Sequence, residues 1–399
     1  MEHASRILLW GTADTGKPRT RIMLSALREK CDVVGEALFL VWGGIDDKSQ
    51  VKGAFGAFGV FLKFLIAYPV LIFRYLTAPK HDIVFVAYLG ALDVIILWPF
   101  ARLRGAKICW DAFLSLYDTV VEDRQLARRT GVFAKIVHGF EKLACVAADR
   151  IILDTKAHAD YFAQTFRLAP EKLDVVWVGA EAQFFNARAK ERSGKFNILF
   201  YGQFIPLHGI EHIVDAARRC DDRDIEWTII GKGQESQKIE QKIDRDPIAN
   251  ARFIDWIDYS DLPQMIADAD LCLGVFGNSD KAGRVIPNKV FQIIAAGAPL
   301  VTRDGPGARE LFATPPATVW LVEPGSADAI LSAVLKAKNS NYAVSGSPYD
   351  GVREKIAPGA IASSAVSAVE KTIAKDAVNA SSIKSGAENP MHAKETGAS

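Results

Sequence analysis

The chain has 399 residues, of which 49% are hydrophobic and 24% are charged, and its net charge at neutral pH is +1. This composition is typical of a folded soluble protein. It excludes a disordered, collagen-like or coiled-coil chain, and it does not favour nucleic acid as a partner. The length predicts two to three domains. Five dispersed cysteines are typical of reduced thiols in a cytosolic protein, and the N-terminal apolar run is too short for a signal peptide.

The first half of the chain alternates short apolar runs with loops and helical stretches. This order predicts a parallel sheet covered by helices on both faces. The predicted strands are residues 6–10, 33–41, 83–88, 107–110 and 150–153.

The same pattern restarts after the polar segment Glu181–Lys195, with predicted strands at 197–201, 227–230, 252–254, 271–275 and 300–302. We therefore expect an α/β protein of two doubly wound, Rossmann-like domains that face each other across a cleft. Ligands would bind at the carboxyl ends of the strands. The expected boundaries are a first domain at 1–185, a linker at 186–196, a second domain at 197–345, a C-terminal helix at 346–375 that returns to the first domain, and a disordered tail at 376–399.

Residues 54–73 form a twenty-residue apolar stretch with one charge, Lys63. It is long enough to cross a bilayer, but the central lysine and Pro69 argue against a span. Two interpretations remain open. The stretch is either a pair of buried helices, or a membrane-surface element whose aromatic and basic residues suit anionic lipid, within residues 54–80.

Two loops of the first domain are candidates for binding. The first, Gly11–Lys17, follows a buried strand and precedes a helix, so it is either an anion-binding loop or a plain turn. It lacks the residues of a P-loop. In the second, Asp111 directly follows another buried strand, where its carboxylate would orient or deprotonate a hydroxyl, or would cap a helix.

Four loops of the second domain are candidates for binding a ligand. Gly202–Gly209 and Gly231–Gly233 each follow a buried strand. The segment Gly283–Pro299 is the most specific of the four, because Arg284 and Lys289 bracket a helix start where cations and free amides would meet a diphosphate. Glu310 begins a later helix and would either cap it or accept hydrogen bonds from hydroxyls.

These loops, in this order, resemble the GT-B glycosyltransferases, in particular the retaining family 4 enzymes. The resemblance covers about residues 6–375. The family's G-R-x…K-G loop corresponds to Gly202-Gln203-Phe204…His208-Gly209. The end of its E-x7-E motif, E-A-x-A-x-G-x-P, corresponds to Gln292–Pro299. Here Gln203 and His208 replace the family's Arg and Lys, and Arg284 and Gln292 replace its two glutamates.

The resemblance implies that the second domain binds a nucleoside diphosphate sugar and the first domain binds the acceptor. We expect Lys289 and Arg284 to neutralise the diphosphate in place of the missing cations, and Gln292 and Glu310 to contact ribose or sugar hydroxyls. The expected donor-binding set is Gly202, Gln203, His208, Gly231, Gly233, Asn288, Gln292 and Glu310; the acceptor-binding set is Gly11 and Thr12; and the catalytic set is Asp111, Arg284 and Lys289.

The sequence thus predicts a glycosyltransferase that acts on a glycan or lipid-linked acceptor in cell-surface polysaccharide or glycolipid biosynthesis. The donor sugar nucleotide is a co-substrate, and neither a metal ion nor another cofactor is expected. The protein would be cytoplasmic, with peripheral contact to the inner face of the cell membrane. The alternatives are a non-catalytic scaffold of the same fold, for which the replaced glutamates and cations argue, and a sugar-nucleotide epimerase.

Overall fold

The computed structural model describes residues 5–40, 53–123, 128–189, 194–340, 349 and 351–387. These residues form two domains, each built on a six-stranded parallel sheet flanked by helices. This is the α/β architecture of two doubly wound domains that the strand pattern predicts.

The first sheet runs in the order β2-β1-β3-β4-β5-β6. The strand order reverses between β1 and β3, so the crevice at their carboxyl ends is a natural ligand position. The central strands are apolar on both faces; β3, for example, reads Ile-Val-Phe-Val and is wholly buried. The strands are β1 (Arg6–Thr12), β2 (Asp32–Phe39), β3 (Ile83–Val86), β4 (Lys107–Phe113), β5 (Arg150–Leu153) and β6 (Leu173–Val175).

Helices cover both faces of this sheet. The core on one face includes buried residues of α2, α3 and α4, and the core on the other face includes those of α1. A one-turn π-helix, Asp118–Asp123, lies between β4 and α4. The helices are α1 (Pro18–Lys30), α2 (Gly53–Thr77), α3 (Ala91–Arg104), α4 (Val132–Ala147), α5 (Lys156–Phe166) and, in the connection between the domains, α6 (Ala182–Asn186).

The second sheet has the order β12-β11-β10-β7-β8-β9, and its switch point lies between β7 and β10. Its strands are β7 (Phe196–Tyr201), β8 (Ile225–Ile230), β9 (Ala251–Ile254), β10 (Leu271–Leu273), β11 (Leu300–Arg303) and β12 (Val319–Val322). Its helices are α7 (Ile210–Arg218), α8 (Ser236–Arg245), α9 (Leu262–Asp268), α10 (Asp280–Arg284), α11 (Asn288–Ala296), α12 (Pro306–Leu311) and α13 (Ala327–Asn339).

The C-terminal segment returns to the first domain. After the short helix α14 (Val352–Lys355), helix α15 (Pro358–Ala387) packs against α1 and the strands of the first sheet. Ile361, Ala365 and Val369 are buried in the same core as α1. The helix continues past residue 376, where a disordered tail was expected, and residues 388–399 lie outside the described part of the chain.

The apolar stretch at 54–73 forms one helix, α2, and not a pair. Pro69 lies inside it, where a bend without a break is tolerated. Among the described residues, no helix meets the length and apolarity needed to cross a membrane. Ala67, Leu71 and Tyr75 face the core, whereas Ile66 and Phe73 are more than half exposed, so residues 63–77 of the helix are buried on one side only.

Candidate functional site

The loops at the switch point of the second domain meet at two glycines. Gly202 directly follows β7 with φ +141°, and Gly231 directly follows β8 with φ +143°. A Cβ on Gly231 would come 1.9 Å from the carbonyl oxygen of Gly202. The two turns therefore pack backbone to backbone, which only glycine permits. This contact fixes the loop Gly202–Gly209 above the sheet. Gly233 also packs closely against this loop, since a Cβ at Gly233 would collide with the backbone of Phe204.

Lys289 points into this switch point from the first turn of α11. Its side chain is buried, and among the described residues its ammonium Nζ has no hydrogen-bond partner. The ammonium lies 3.9 Å from the centre of the Phe200 ring and next to Gly202. Burial lowers the pKa of Lys289 well below its usual value. A buried cation without a counter-charge lowers the stability of the folded protein. The position is therefore suited to binding an anion.

His208 lies beside Lys289 but does not supply a second cation. Its Nδ1 is hydrogen-bonded to the carbonyl oxygen of Gln203. Burial and the neighbouring Lys289 ammonium together lower the pKa of His208 well below its usual value, so the ring is neutral at neutral pH. Asn288 is the first residue of α11, and its backbone amide belongs to the free N-terminal turn of that helix.

Gln292 lies one turn further along α11 and is held by two tyrosines. Its Oε1 accepts a hydrogen bond from the Tyr201 hydroxyl at 3.0 Å, and its Nε2 donates to the Tyr259 oxygen at 3.0 Å. The Tyr259 hydroxyl in turn donates to Glu181, which also forms a bidentate pair with Arg21 of α1. This chain of hydrogen bonds connects α11 to the first domain.

Arg284 pairs with the first domain instead of pointing to the site of Lys289. Its Nη2 lies 2.9 Å from the buried Asp118 carboxylate and 3.5 Å from Glu122, both in the π-helix. Its guanidinium also covers the Tyr161 ring at 4.2 Å. The expected contact between Arg284 and a diphosphate finds no support in this geometry, because the cation already has two carboxylate partners.

Glu310 also crosses between the domains. Its carboxylate accepts hydrogen bonds from the backbone amides of Lys156 and Ala157, at 2.8 and 2.7 Å, and so caps the N-terminus of α5. Of the two roles left open for Glu310, the cap forms on a helix of the other domain instead of its own, and the contact with ribose or sugar hydroxyls stays a prediction.

Asp111 lies within β4, two residues before its end, and not after the strand as the sequence predicts, and its side chain is inside the protein. Both of its oxygens are bonded to Arg19, at 2.7 to 3.1 Å, and both side chains are 1% exposed. Arg19 also donates to the Val176 carbonyl oxygen. The geometry gives Asp111 a structural pairing and does not support direct action on a substrate.

Gly11 and Thr12 form the end of β1, at the switch point of the first sheet. The backbone amide and the hydroxyl of Thr12 both donate to Oδ2 of Asp93, at 3.1 and 2.7 Å. Gly11, with φ +112°, lies directly against the Asp93 carboxyl. The sequence does not indicate Asp93 as a site residue, because Asp93 stands inside the apolar run Ala91–Trp98, where a carboxylate gives no motif.

Within the described ranges, no group of three or more His, Cys, Asp or Glu side chains is arranged to hold a metal ion. Asp222 and Asp224, one of the Asp-x-Asp pairs of the sequence, lie near the surface and both face Lys338.

Comparison with solved structures defines the class of fold. The chain matches the structure of Anabaena Alr3699/HepE in complex with UDP, with a TM-score of 0.60 and 15% identity over 95% of this chain and 100% of that one. It matches the sucrose-phosphate synthase of Thermosynechococcus elongatus with a TM-score of 0.62 and 14% identity, over 96% and 100% of the two chains. The protein has the GT-B fold of glycosyltransferases.

The second domain also resembles a known protein family in sequence. Residues 195–339 match the family model described as glycosyl transferases group 1. A curated relative, "Putative colanic acid biosynthesis glycosyl transferase WcaI" of Escherichia coli (strain K12), is 27% identical over 142 residues. That match spans 35% of this chain and 35% of the relative, so it covers about a third of each protein.

Proposed function

We propose that the protein is a glycosyltransferase that moves a sugar from a nucleoside diphosphate sugar to a glycan or lipid-linked acceptor, with retention of configuration and without a metal ion. The observation that carries the proposal is the buried, unpaired ammonium of Lys289 at the switch point of a glycosyl transferases group 1 domain. The UDP complex of the Anabaena neighbour and the name of the WcaI relative agree with this assignment.

The geometry supports a specific role for Lys289 in the transfer. A diphosphate next to Nζ would supply the missing counter-charge and raise the pKa of the ammonium again. As the bond to the sugar breaks, negative charge grows on the departing diphosphate, and a fixed cation stabilises that charge best where water is excluded. The free backbone amides at the start of α11 would add to this field.

The outer surface of the first domain supports a membrane-bound acceptor. Helix α4 exposes a stripe of apolar side chains at helical spacing, Val132, Ile136, Leu143 and Val146, each more than half exposed. The exposed apolar residues of α2 and α3 belong to the same helical layer, and exposed cations, Lys63, Arg74 and Lys135, lie among them. This combination suits the anionic inner face of the cell membrane.

Binding of the donor tests the proposal directly. We expect UDP or another nucleoside diphosphate to raise the melting temperature, with and without Mg²⁺, and we expect Lys289→Met to abolish the shift. This variant should remain at least as stable as the wild type, because it replaces a buried unpaired cation by an isosteric apolar chain. Lys336→Met, an exposed lysine of the same domain, is the matched control and should bind normally.

A different outcome would favour a scaffold. Gln292 and Arg284, at the positions of the family's two glutamates, both have internal partners, which is the observation in favour of a non-catalytic role. If no nucleotide or sugar nucleotide stabilises the folded protein, the enzyme assignment fails. If one binds, a transfer assay with analysis of the anomeric configuration of the product separates retention from inversion.

A further inference from the structure

A cavity of about 500 Å³ lies in the first domain, at the switch point between β1 and β3. Its volume is within the range of about 300–1,000 Å³ of sites for small ligands. Leucines from α2, α3 and two loops lie at its exposed side, and these are 37% to 59% exposed: Leu65, Leu89, Leu92 and Leu116. The exposed side therefore belongs to the apolar outer surface of α2 and α3.

The buried side of the cavity carries polar groups. Thr12, Asp93 and Trp110 line it and are 8% exposed or less. Oδ1 of Asp93 and the indole Nε1 of Trp110 are buried and find no hydrogen-bond partner in the part of the chain that the structure describes. The Tyr68 hydroxyl lies beside the carboxyl, and the two groups influence each other's pKa. Native proteins rarely leave such groups unpaired, so they indicate a ligand with hydrogen-bonding groups.

The backbone around the cavity is also unusual. Leu89, in the loop after β3, and Phe113, at the end of β4, adopt positive φ angles of 72° and 57°. Non-glycine residues in this region carry strain that folded proteins retain mostly at functional sites. Both residues belong to the loops that shape this end of the first sheet.

We propose that this cavity binds the hydrocarbon chain of a lipid-linked acceptor, with a hydroxyl of the head group at Asp93. The proposal rests on the glycosyltransferase function and specifies its acceptor. The apolar lining and the position next to the exposed face of α2 and α3 favour a chain that enters from a membrane. The free Oδ1 of Asp93 accepts a hydrogen bond from the hydroxyl, and Thr12 fixes the orientation of the carboxylate.

Binding of amphiphiles without any sugar transfer tests the proposal. The probes are dodecyl maltoside below its micelle concentration, which carries a linear chain, and farnesyl phosphate, which carries a branched one. Maltose and inorganic phosphate are the matching head groups. We expect at least one amphiphile to bind, at least tenfold more tightly than its head group, in titration calorimetry. The preferred probe identifies the type of chain. Equal binding of head group and amphiphile would overturn the proposal.

A matched pair of variants on α3 locates the site. Leu92→Trp places an indole at the exposed side of the cavity and should weaken binding of the amphiphile at least tenfold. Leu103→Trp, on the same helix but outside the cavity and 83% exposed, should bind like the wild type. Equal loss or equal retention of binding in the two variants would place the chain elsewhere and refute the assignment.

Asp93→Asn and a nucleotide control complete the experiment. The asparagine places an amide NH2 donor where the carboxylate has its free acceptor oxygen, so it should weaken binding of dodecyl maltoside more than binding of farnesyl phosphate, which has no sugar hydroxyl. Equal effects on the two probes would remove Asp93 from the site. UDP binding is measured in every variant. If Leu92→Trp loses binding of the hydrocarbon chain but still binds UDP, the result bears only on the cavity. If the wild type itself does not bind UDP, the result argues against the proposed function.

Discussion

Two buried ionisable residues without sufficient partners distinguish the two switch points of this protein. Lys289 lies at the switch point of the second sheet and Asp93 at that of the first. Both are energetically unfavourable in the empty protein, since a buried charge without a counter-charge costs stability. Such residues are retained where a ligand supplies the missing partner. For this reason, ionisable groups with shifted pKa values cluster at functional sites.

Asp93 should make the stability of the protein depend on pH. Burial, the largest effect, raises its pKa from 3.8 to about 6, against the hydrogen bonds from Thr12 that lower it. The folded state therefore holds more protons than the unfolded state between these values, and the free energy of unfolding falls as the pH rises through this window. The loss amounts to about 3 kcal/mol above pH 6, at about 1.36 kcal/mol per unit.

Asp93→Asn removes this titration. In urea unfolding, the stability of the variant relative to the wild type should therefore increase by about 2.4 kcal/mol between pH 4 and pH 8. Comparison of the two proteins at each pH cancels the other titrating groups. A constant difference across this range would show that Asp93 titrates normally.

The sequence predicts the position of Lys289 at the start of a helix, but it does not predict the roles of Asp111 or Asp93. Lys289 follows Pro287 at a predicted helix start, so a local pattern indicates its position. The partner of Asp111, Arg19, is 92 residues away, and only the folded chain brings the two together. In the sequence, Asp93 looks like an ordinary helix residue. Its burial depends on contact with β1, which only the folded chain provides.

At the scale of elements, the segment α10–α11 performs two tasks at its two ends. Its first end binds the π-helix of the other domain through Arg284 and through Lys281, whose Nζ donates to Thr119 at 2.5 Å. Its other end presents Lys289 to the donor pocket. π-helices are rare and often occur at functional sites. Here the π-helix provides the carboxylates that hold the domains together beside the cleft.

The ion pair of Arg284 is therefore expected to support domain closure. Arg284→Ala leaves the Asp118 carboxylate buried without a partner, which should destabilise the protein by about 3 kcal/mol. The double variant Arg284→Ala with Asp118→Asn should recover part of that loss. Chemical denaturation of the single and double variants measures the coupling, and simple additivity would show that the pair contributes little.

The strands are the elements that the sequence predicts best. The apolar runs of the central strands are buried on both faces, and this produces an unambiguous signal in each domain. The short β6 and the edge strand β12 were not predicted, since three or four residues with mixed burial give a weak pattern. The sequence predicts the end of α15 at residue 375, twelve residues too early, because an Ala- and Ser-rich composition favours helix and disorder alike.

At the scale of the whole molecule, the apolar outer surface is unevenly distributed. The helices α2, α3 and α4 carry most of the strongly exposed apolar side chains, and the second domain carries few. The sequence indicated this property only for residues 54–80. The contribution of α4 was missed because its outward stripe is interleaved with a buried one, a pattern that resembles an ordinary core helix.

This asymmetry predicts selective binding to anionic membranes. The double change Ile136→Asp and Val146→Asp should reduce the fraction of protein that sediments with phosphatidylglycerol vesicles, by about tenfold in the partition coefficient, or about 1.4 kcal/mol. Leu335→Asp, at an exposed apolar position of the second domain, should leave it unchanged. Equal sedimentation of all three proteins, or equal binding to phosphatidylcholine, would contradict a docking face on α4.

The return of α15 to the first domain has a mechanical consequence. The polypeptide passes between the domains twice, once near α6 and once near α14, and Arg150 of the first sheet donates a hydrogen bond to the Lys371 carbonyl oxygen of the returning helix. Two covalent connections constrain the motion of one domain relative to the other. They permit a hinge rotation about the line that joins them and resist rotation about any other axis. Opening and closing should therefore follow one path, which returns Lys289 to the same position relative to the first domain in every cycle.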